Sequence, residues 1–449
     1  MNENVSKNGE KVWLVRYLAK FAGVFAGCIT LFFLLLVLVF SIPDDWVADK
    51  QQESLSLFDK NGAVDEWPFT RESEGWMWTF THARGAQLDN MTDHTMILNV
   101  ISDVVDASVF YKAMDCNGYA RYWHGYLIFL RPLMLVFSYM QIRYIYMFVY
   151  MLLGVAILLG INRNFGKRMV YLWTLCICFI NPVVLPFSLQ FSSVFFITMV
   201  SILMVDRLYN KECGGGYNLQ QLGLLFLVIG MLTSYIDFFT APLLTLGIPL
   251  IYFMLLNDRK YRQDSFRKNM WSLVASSAAW GFGYFGCWGM KWLIASPILE
   301  RNVIEEAMTS MIYRTVKTYH TKTGYDTGSL RAIVMNLFAI LPPGITSADW
   351  KWFFGIILII VLVLLVIFVK FHVGRQELKA TIPFLVVAAY PYVWFMVIAQ
   401  HTSIHYIFTY RIELMTLLGV FIAYGKSIRI RGDAVKFADA TGNVREKRI

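Results

Sequence analysis

Long apolar runs recur throughout the chain and restrict the folds that are open to it. Residues 21–42, 352–369 and 382–399 are each long enough to cross the roughly 30 Å of hydrocarbon in a bilayer. The 449-residue chain is 57% hydrophobic and 16% charged, whereas soluble domains are about 45–50% apolar and about a quarter charged. The sequence therefore predicts an all-α polytopic membrane protein.

The net charge of +9 comes from basic residues that stand in short clusters between the apolar runs. Such clusters mark the cytoplasmic ends of membrane spans, so the charge indicates orientation in a bilayer and no nucleic-acid partner. The six cysteines include no C-x-x-C pair and predict no disulfide framework. Because short loops and frequent Lys and Asn favour bacteria, we expect a multi-pass protein of a bacterial plasma membrane.

The basic clusters fall on one side if the chain crosses the bilayer about ten times with both termini in the cytoplasm. The predicted order is a cytoplasmic N-terminus (1–17), a first transmembrane helix (18–42), an extracytoplasmic loop with juxtamembrane helices (43–141), a multi-span domain (142–424) with a second outer loop (297–350), and a basic cytoplasmic tail (425–449). The later spans are expected at 142–161, 169–187, 190–206, 220–238, 241–256, 270–296, 352–370, 381–399 and 405–424.

The apolar stretch at 126–139 is the exception to this alternation. It is short, and Arg131-Pro132 interrupts it. A stretch of this length is more often interfacial than spanning. Placing it on the outer surface also keeps the basic residues at 162–168 inside, so we expect an outer juxtamembrane helix here.

The first outer loop contains the sequence Q-L-D-N-M-T-D-H-T at 87–95. Asp89 and Asp93 stand four residues apart, which places both carboxylates on one face if this segment is helical. Asp89 could instead cap a helix over 90–105, and Asp93 could be merely solvated. A catalytic role is therefore one of three interpretations of this pair.

Ionisable side chains also stand near the outer ends of the predicted spans, where charge is costly and usually marks function. These residues are Arg143, Asp237, Lys291, His401, His405, Arg411 and Glu413. Asp237 could instead pair with a neighbour inside the bundle, and Arg411 could pair with Glu413. The two histidines are one helical turn apart and could bind a metal, but no third ligand stands at motif spacing, so hydrogen bonding at the interface is preferred and no metal site is predicted.

This layout resembles the GT-C superfamily of membrane glycosyltransferases. The shared features are one span, a long first outer loop with an acidic motif, surface helices and then many spans. The local resemblance covers about 85–170 and lies in R-Y-W-H-G-Y-L-I-F-L-R-P-L-M-L-V-F (121–137), Q-I-R (141–143) and N-R-N-F-G-K-R (162–168). The chain lacks the W-W-D-Y-G-type signature of oligosaccharyltransferases and the adjacent Asp-Glu pair of protein mannosyltransferases.

The resemblance implies an inverting transfer of a sugar from a polyprenyl-phosphate donor to a cell-envelope glycan or lipid acceptor on the extracytoplasmic face. The base would be Asp89 or Asp93, and Arg411 would hold the donor phosphate. Weaker phosphate candidates are Arg143, Lys291, His401 and His405, and the other site candidates are Asp237, His124, Arg131 and Tyr410. The remaining expected partners are membrane lipids. No cofactor is required by this scheme, and a divalent metal stays open.

Other classes of membrane protein also fit parts of the pattern. A transporter or flippase of lipid-linked glycans would place polar residues near the middle of the bilayer and on both of its sides. A polysaccharide polymerase or ligase would use a large later loop, and 297–350 is such a loop. A purely structural membrane protein is the remaining alternative.

Overall fold

The computed structural model describes residues 2–61, 88, 90–211, 218–261, 265–315, 328–340, 369–371, 375–430, 436–438 and 444–446. Most of these residues are helical. The helices are α1 Asn2–Phe40, α2 Asp44–Asn61, α3 Asn90–Leu98, α4 Val109–Asp115, α5 Leu127–Leu133, α6 Tyr139–Phe165, α7 Lys167–Cys178, α8 Leu189–Lys211, α9 Leu219–Ile236, α10 Leu244–Tyr261, α11 Ser265–Leu299, α12 Val303–Thr315, α13 Ser329–Ala339, α14 Arg375–Val397, α15 Ala399–Ile404, α16 Tyr406–Thr409 and α17 Leu414–Ser427. Short 3₁₀ helices occupy Pro182–Phe187 and Tyr410–Glu413.

Six helical segments are long and apolar enough to cross a membrane, by length and composition. They are Val12–Phe40, Tyr139–Phe165, Leu189–Asn210, Leu219–Ile236, Lys379–Val397 and Tyr406–Lys426. Each coincides with one of the ten spans that the sequence predicts. This agreement supports a multi-pass helical membrane protein.

Helix α6 shows why a membrane is the expected surrounding. Its large apolar side chains at Phe148, Met151, Val155 and Leu159 are 62%, 61%, 56% and 64% exposed. These positions are spaced by three or four residues and form one stripe along the helix. A continuous apolar stripe of this kind is unusual on a soluble monomer, so the stripe is best explained by contact with lipid.

The predicted span at 169–187 is not one helix. Helix α7 ends at Cys178, and a separate 3₁₀ helix follows over Pro182–Phe187. Asn181 between them adopts a left-handed conformation with φ of 52°. Pro182 and Pro186 bring no N–H for a continuous α-helix, which explains the break.

Three other predicted spans differ from the six segments. The stretches at 241–256 and 270–296 form α10 and α11, which are not among the six segments. Residues 352–368 of the span predicted at 352–370 lie outside the described residues. Val369 and Lys370 belong to strand β1 (Val369–Phe371), which pairs antiparallel with β2 (Ile428–Ile430). Strands β3 (Lys436–Ala438) and β4 (Val444–Glu446) form a second antiparallel pair.

Short helices follow α1 before the next long helix begins. The helix at Asn90 ends at Leu98, earlier than the expected position 105. Helix α5 has seven residues and rises about 10 Å, which is too little to cross a bilayer. The short apolar stretch at 126–139 therefore contains a non-spanning helix, in agreement with its length and its Arg-Pro pair.

Helices α9 and α11 pack with their backbones in close approach at two glycines. A Cβ added at Gly230 would lie 2.2 Å from the carbonyl oxygen of Trp280, and one added at Gly283 would lie 2.3 Å from that of Leu227. Small residues at helix contacts allow this approach in membranes, where packing drives association. The pair α9–α11 thereby holds the loop after α9, which contains Asp237.

We predict that Gly230→Ala destabilises the protein by about 1–3 kcal/mol, because the new methyl group meets backbone that cannot rotate away. Thermal unfolding in detergent measures the effect. Gly281→Ala is the matched control, since a Cβ at Gly281 meets nothing within 4 Å on the same helix as Gly283. Equal melting temperatures for Gly230→Ala and Gly281→Ala would contradict the close packing.

Candidate functional site

Asp93 in α3 is completely buried. Its Oδ1 accepts hydrogen bonds from the Ser188 hydroxyl at 3.0 Å and from the Gln190 N–H at 3.1 Å. Its Oδ2 accepts the Tyr139 hydroxyl and lies 3.6 Å from a guanidinium nitrogen of Arg143. A buried carboxylate is tolerated when it is paired and hydrogen-bonded, and these contacts meet both conditions. The interpretation of Asp93 as a merely solvated residue is wrong.

The partners of Asp93 come together because α8 begins at this point. Ser188 has an extended backbone (φ −117°, ψ 130°), and its hydroxyl accepts the Phe191 N–H at 3.4 Å as an N-cap. The Asp93 carboxylate takes the Gln190 N–H from the same first turn. Free N–H groups and the positive end of the helix dipole favour an anion here. Helix α3 is thereby docked on the N-terminus of α8.

Arg143 extends this network along α6. Its Nη2 donates to the Asn90 side-chain oxygen at 3.1 Å, and its guanidinium stands over the Tyr139 ring at 4.3 Å. Only 4% of Arg143 is exposed. Asp89 lies outside the described residues, but its chain neighbours Leu88 and Asn90 are both buried. The polypeptide on either side of Asp89 is therefore packed against the protein close to Arg143.

Asp237 is linked to this network through Gln190. The Gln190 carbonyl accepts the Thr240 hydroxyl at 3.3 Å, and the Thr240 N–H donates to the Asp237 carboxylate at 3.1 Å. Asp237 is the C-cap of α9 and is 6% exposed. The first turn of α8 thus lies between Asp93 and Asp237, two acidic residues that the sequence placed on one membrane face.

Arg411 approaches the same turn of α8 from the other side. Its guanidinium carbon stands 4.2 Å from the centre of the Phe191 ring, and its Nη1 donates to the Ile407 carbonyl at 3.1 Å. The side chain is fully buried. The neighbouring Tyr410 accepts a hydrogen bond from the Asn181 amide at 2.7 Å. Arg411 therefore lies beside the first turn of α8.

His401 and His405 contact each other and the loop after α9. Their ring centres are 4.7 Å apart, and the His401 ring is 5.0 Å from that of Phe239. Burial lowers the pKa of His401 well below its ordinary value, and His405 and Arg314 lower it further. Phe239 has a φ of 63°, a strained conformation for a bulky residue. Within the part of the chain that the structure describes, no group of three metal-ligating side chains occurs.

An apolar groove with a volume of about 230 Å³ lies beneath this region. It is enclosed mainly by α6, α7 and α8, and Leu414 closes it at the first residue of α17. Leu414 follows directly after the 3₁₀ helix that carries Arg411. Phe195 lines the groove one helical turn after Phe191, which contacts Arg411. Other lining residues include Tyr150, Gly154, Ile157, Trp173, Ile177, Met199 and Ile202. Arg411 does not line the groove, but the lining residues Phe195 and Leu414 place the groove close to this buried cation.

Three of the predicted site residues, Arg131, Lys291 and His124, instead have contacts that stabilise the fold. Arg131 is fully buried, and its guanidinium donates to the Val39 carbonyl at 2.8 Å and to the Ile42 carbonyl at 2.5 Å, at the end of α1. Lys291 donates to the Met114 carbonyl at 2.9 Å, in the last turn of α4. These cations satisfy carbonyls that a helix end leaves without partners. Both lie apart from the residues around α8.

His124 has a structural environment as well. Its Nε2 lies 2.9 Å from the Tyr119 carbonyl, and burial lowers its pKa to about 3. Its ring is 5.6 Å from that of Phe238, next to Asp237. His124 is thus a buried, neutral side chain that packs against the loop containing Asp237.

Several residues around the site had no clear signal in the sequence. Ser188 after Pro186-Phe187 is a recognisable helix start, but nothing in the sequence indicates that it binds a residue 95 positions earlier. Tyr139 and Gln190 carry no motif. Arg314 donates to the Tyr122 hydroxyl and stands 5.0 Å from the Phe239 ring. These contacts depend on distant segments of the chain meeting.

Comparisons with known proteins provide no relative for this arrangement. No family model, no curated protein and no solved structure matches the chain.

We predict that the contribution of Asp237 to the stability of the protein falls by a few kcal/mol as the pH rises from about 4 to about 7. Burial raises the pKa of Asp237 to about 7, against 3.8 for an ordinary aspartate, although the Thr240 hydrogen bond opposes the rise. Between these values the folded state binds more protons than the unfolded state, so deprotonation favours unfolding. Asp237→Asn should flatten this part of the pH profile in thermal unfolding. An unchanged slope in that variant would assign the dependence to other groups.

Proposed function

We propose that the protein is an integral-membrane glycosyltransferase that uses a polyprenyl-phosphate sugar and resembles the GT-C superfamily. The observation that carries the proposal is the apolar groove close to Arg411, next to the helix turn that binds Asp93. An amphiphilic donor has an apolar tail, an anionic phosphate and a polar sugar. The groove, Arg411 and the polar residues around α8 present these three environments in the same order.

Arg411 is the proposed partner of the donor phosphate. A guanidinium offers a planar set of N–H donors that fits phosphate oxygens. Its contact with the ring of Phe191 places the guanidinium beside the first turn of α8. The phosphate leaves with additional negative charge when the sugar is transferred, and a preorganised buried cation stabilises that charge most. His401 and His405, whose rings contact each other, remain weaker candidates for contacts with the phosphate.

A first-loop aspartate is the proposed base. It removes the proton from the acceptor hydroxyl while the oxygen attacks the anomeric carbon, and the bond to the phosphate breaks. Hydrogen bonds to a carboxylate stabilise its charged form and make it a weaker base. Asp93 accepts three such bonds and pairs with Arg143. We therefore place Asp89 first as the base and assign Asp93 to positioning the loop.

The extracytoplasmic face is the proposed location of this chemistry. The site residues around the first turn of α8 lie at the end of the bundle where α1 and α9 finish. The opposite end, where α6, α8 and α10 finish, carries Arg163, Arg207 and Arg259, and we call it the basic end. By the positive-inside rule the basic end is cytoplasmic. The plasma membrane and an acceptor glycan or lipid remain part of this proposal.

One observation favours a second candidate function, a flippase of lipid-linked glycans. The basic end contains a polar pocket, so polar sites occur at both ends of the bundle. A transporter needs such sites on both sides. Assays in reconstituted vesicles separate the two functions, because a transferase releases polyprenyl phosphate whereas a flippase moves an intact donor across the bilayer.

The assignment of the base predicts that Asp89→Asn lowers the transfer rate by about 10²–10⁴-fold, the range expected for loss of a general base. Transfer from a polyprenyl-phosphate sugar is measured with purified protein in detergent. The melting temperature of Asp89→Asn should match that of the wild type. Asp93→Asn should instead lower the melting temperature, because it leaves Arg143 buried without its counter-charge.

Asp106→Asn is the matched control, since Asp106 is an exposed acid in the same loop. It should change neither activity nor stability. Full activity of both Asp89→Asn and Asp93→Asn would exclude these two aspartates as the base.

The assignment of Arg411 predicts that Arg411→Ala raises the KM for the donor by about tenfold or more, as expected for a lost hydrogen bond to a charged group. Arg411→Lys should restore part of the affinity, because it keeps the charge and loses the planar fork. Arg168→Ala removes an exposed cation at the basic end and serves as the control. An unchanged donor KM in Arg411→Ala would remove Arg411 from the site.

A further inference from the structure

A polar cavity, separate from the apolar groove, lies at the basic end, far from the proposed active site. Its volume is about 700 Å³. Its walls come from the last turns of three long helices, α6, α8 and α10. The lining residues are Arg163, Asn164, Asp206, Arg207, Asn210 and Arg259. Three arginines against one aspartate give the lining a positive balance.

Asp206 organises this cavity from within. It is 8% exposed, and its Oδ1 accepts from Asn164 at 2.6 Å, from Tyr252 at 2.9 Å and from Asn210 at 3.1 Å. Its Oδ2 pairs with Arg163. These partners belong to α6, α8 and α10, so Asp206 joins the three helices. The hydrogen bonds and the ion pair of Asp206 therefore hold the three helices together and orient the Arg163 side chain.

The other two arginines of the lining, Arg207 and Arg259, lie around the Asp206 network. Arg259 donates from one nitrogen to both the backbone and the side-chain oxygen of Asn164, each at 3.2 Å. The Arg163 side chain remains 65% exposed although it pairs with Asp206. A guanidinium has five N–H donors, so these contacts use only part of the capacity of each group. Arg207 is exposed and is not among the described contacts of Asp206.

A simpler explanation accounts for each arginine singly. Cations are favourable at helix C-termini and on the cytoplasmic side of a membrane. That explanation requires neither a cavity of this size between the three groups nor a buried carboxylate that orients one of them. Planar guanidinium groups around one space match the geometry of phosphate oxygens.

We propose that this cavity binds the phosphate group of an anionic membrane lipid. Basic pockets between helix ends at the cytoplasmic surface are suited to anionic head groups, since the lipid is concentrated at that surface. The three arginines bind the phosphate oxygens, and the lipid chains remain in the bilayer beside α6. This proposal is independent of the proposed transferase activity, because it uses no residue of that site.

Binding is tested with the full chain purified in an uncharged detergent. Phosphatidylglycerol and phosphatidylcholine are titrated separately, and bound lipid is counted by native mass spectrometry. The wild type should bind phosphatidylglycerol at least about tenfold more tightly, and Arg207→Gln should remove about tenfold of that affinity, the effect of one lost charged hydrogen bond. Arg163→Gln should act in the same direction. Raised salt should weaken the binding.

Arg168→Gln is the matched control, because Arg168 is an exposed arginine at the same end that does not line the cavity. It should leave the affinity unchanged. Equal losses in Arg168→Gln and Arg207→Gln, or equal binding of both lipids, would overturn the proposal. Competition by glycerol phosphate at the concentration that saturates with the lipid would show a soluble phosphate ligand and would also overturn it. Arg207→Lys, which keeps the charge, should retain an intermediate affinity and exclude loss of folding as the cause.

Discussion

The buried carboxylate of Asp93 is the interaction on which the packing of α3 against α6 and the start of α8 depends. Removing an ionised carboxylate from water costs several kcal/mol unless charges and hydrogen bonds replace the water. Here Arg143, Tyr139, Ser188 and the backbone of Gln190 provide that replacement. These partners come from α6 and the start of α8. The Asp93 carboxylate therefore has its partners only when α3 packs against both helices.

Polar groups are concentrated at two levels of the bundle. Arg143 and Arg163 are twenty residues apart on α6, which corresponds to about 30 Å along a helix, close to the thickness of the hydrocarbon in a bilayer. Each arginine is paired with a buried aspartate, Asp93 at one level and Asp206 at the other. Between them α6 presents the apolar groove on one side and exposed apolar residues on another. The ion pairs therefore stand where a membrane tolerates charge.

Cations that look alike in the sequence have different roles in the fold. Arg131 and Lys291 are buried against the carbonyls that end α1 and α4, whereas Arg411 stands over an aromatic ring beside the groove. A carbonyl at a helix end has no partner in its own helix. A nearby cation donates its hydrogen bonds to such carbonyls and thereby stabilises the fold. The surroundings of each cation, rather than its distance from a span end, separate anchoring residues from candidates for ligand binding.

Local composition was enough to predict a multi-pass helical membrane protein and most of its long helices. Membrane spans depend on local composition and length, so six of the predicted spans appear directly, and the Arg-Pro pair marks a helix that does not cross. Contacts between distant segments were decided only by the tertiary structure. Asp93 meets Ser188 and Asp206 meets Arg163 and Tyr252 because helix packing brings their ends together, and a buried charge selects its partners by position rather than by motif. The break at Asn181 lies between these cases, since its prolines are visible in the sequence but the resulting entry into α8 beside Asp93 is a property of the fold.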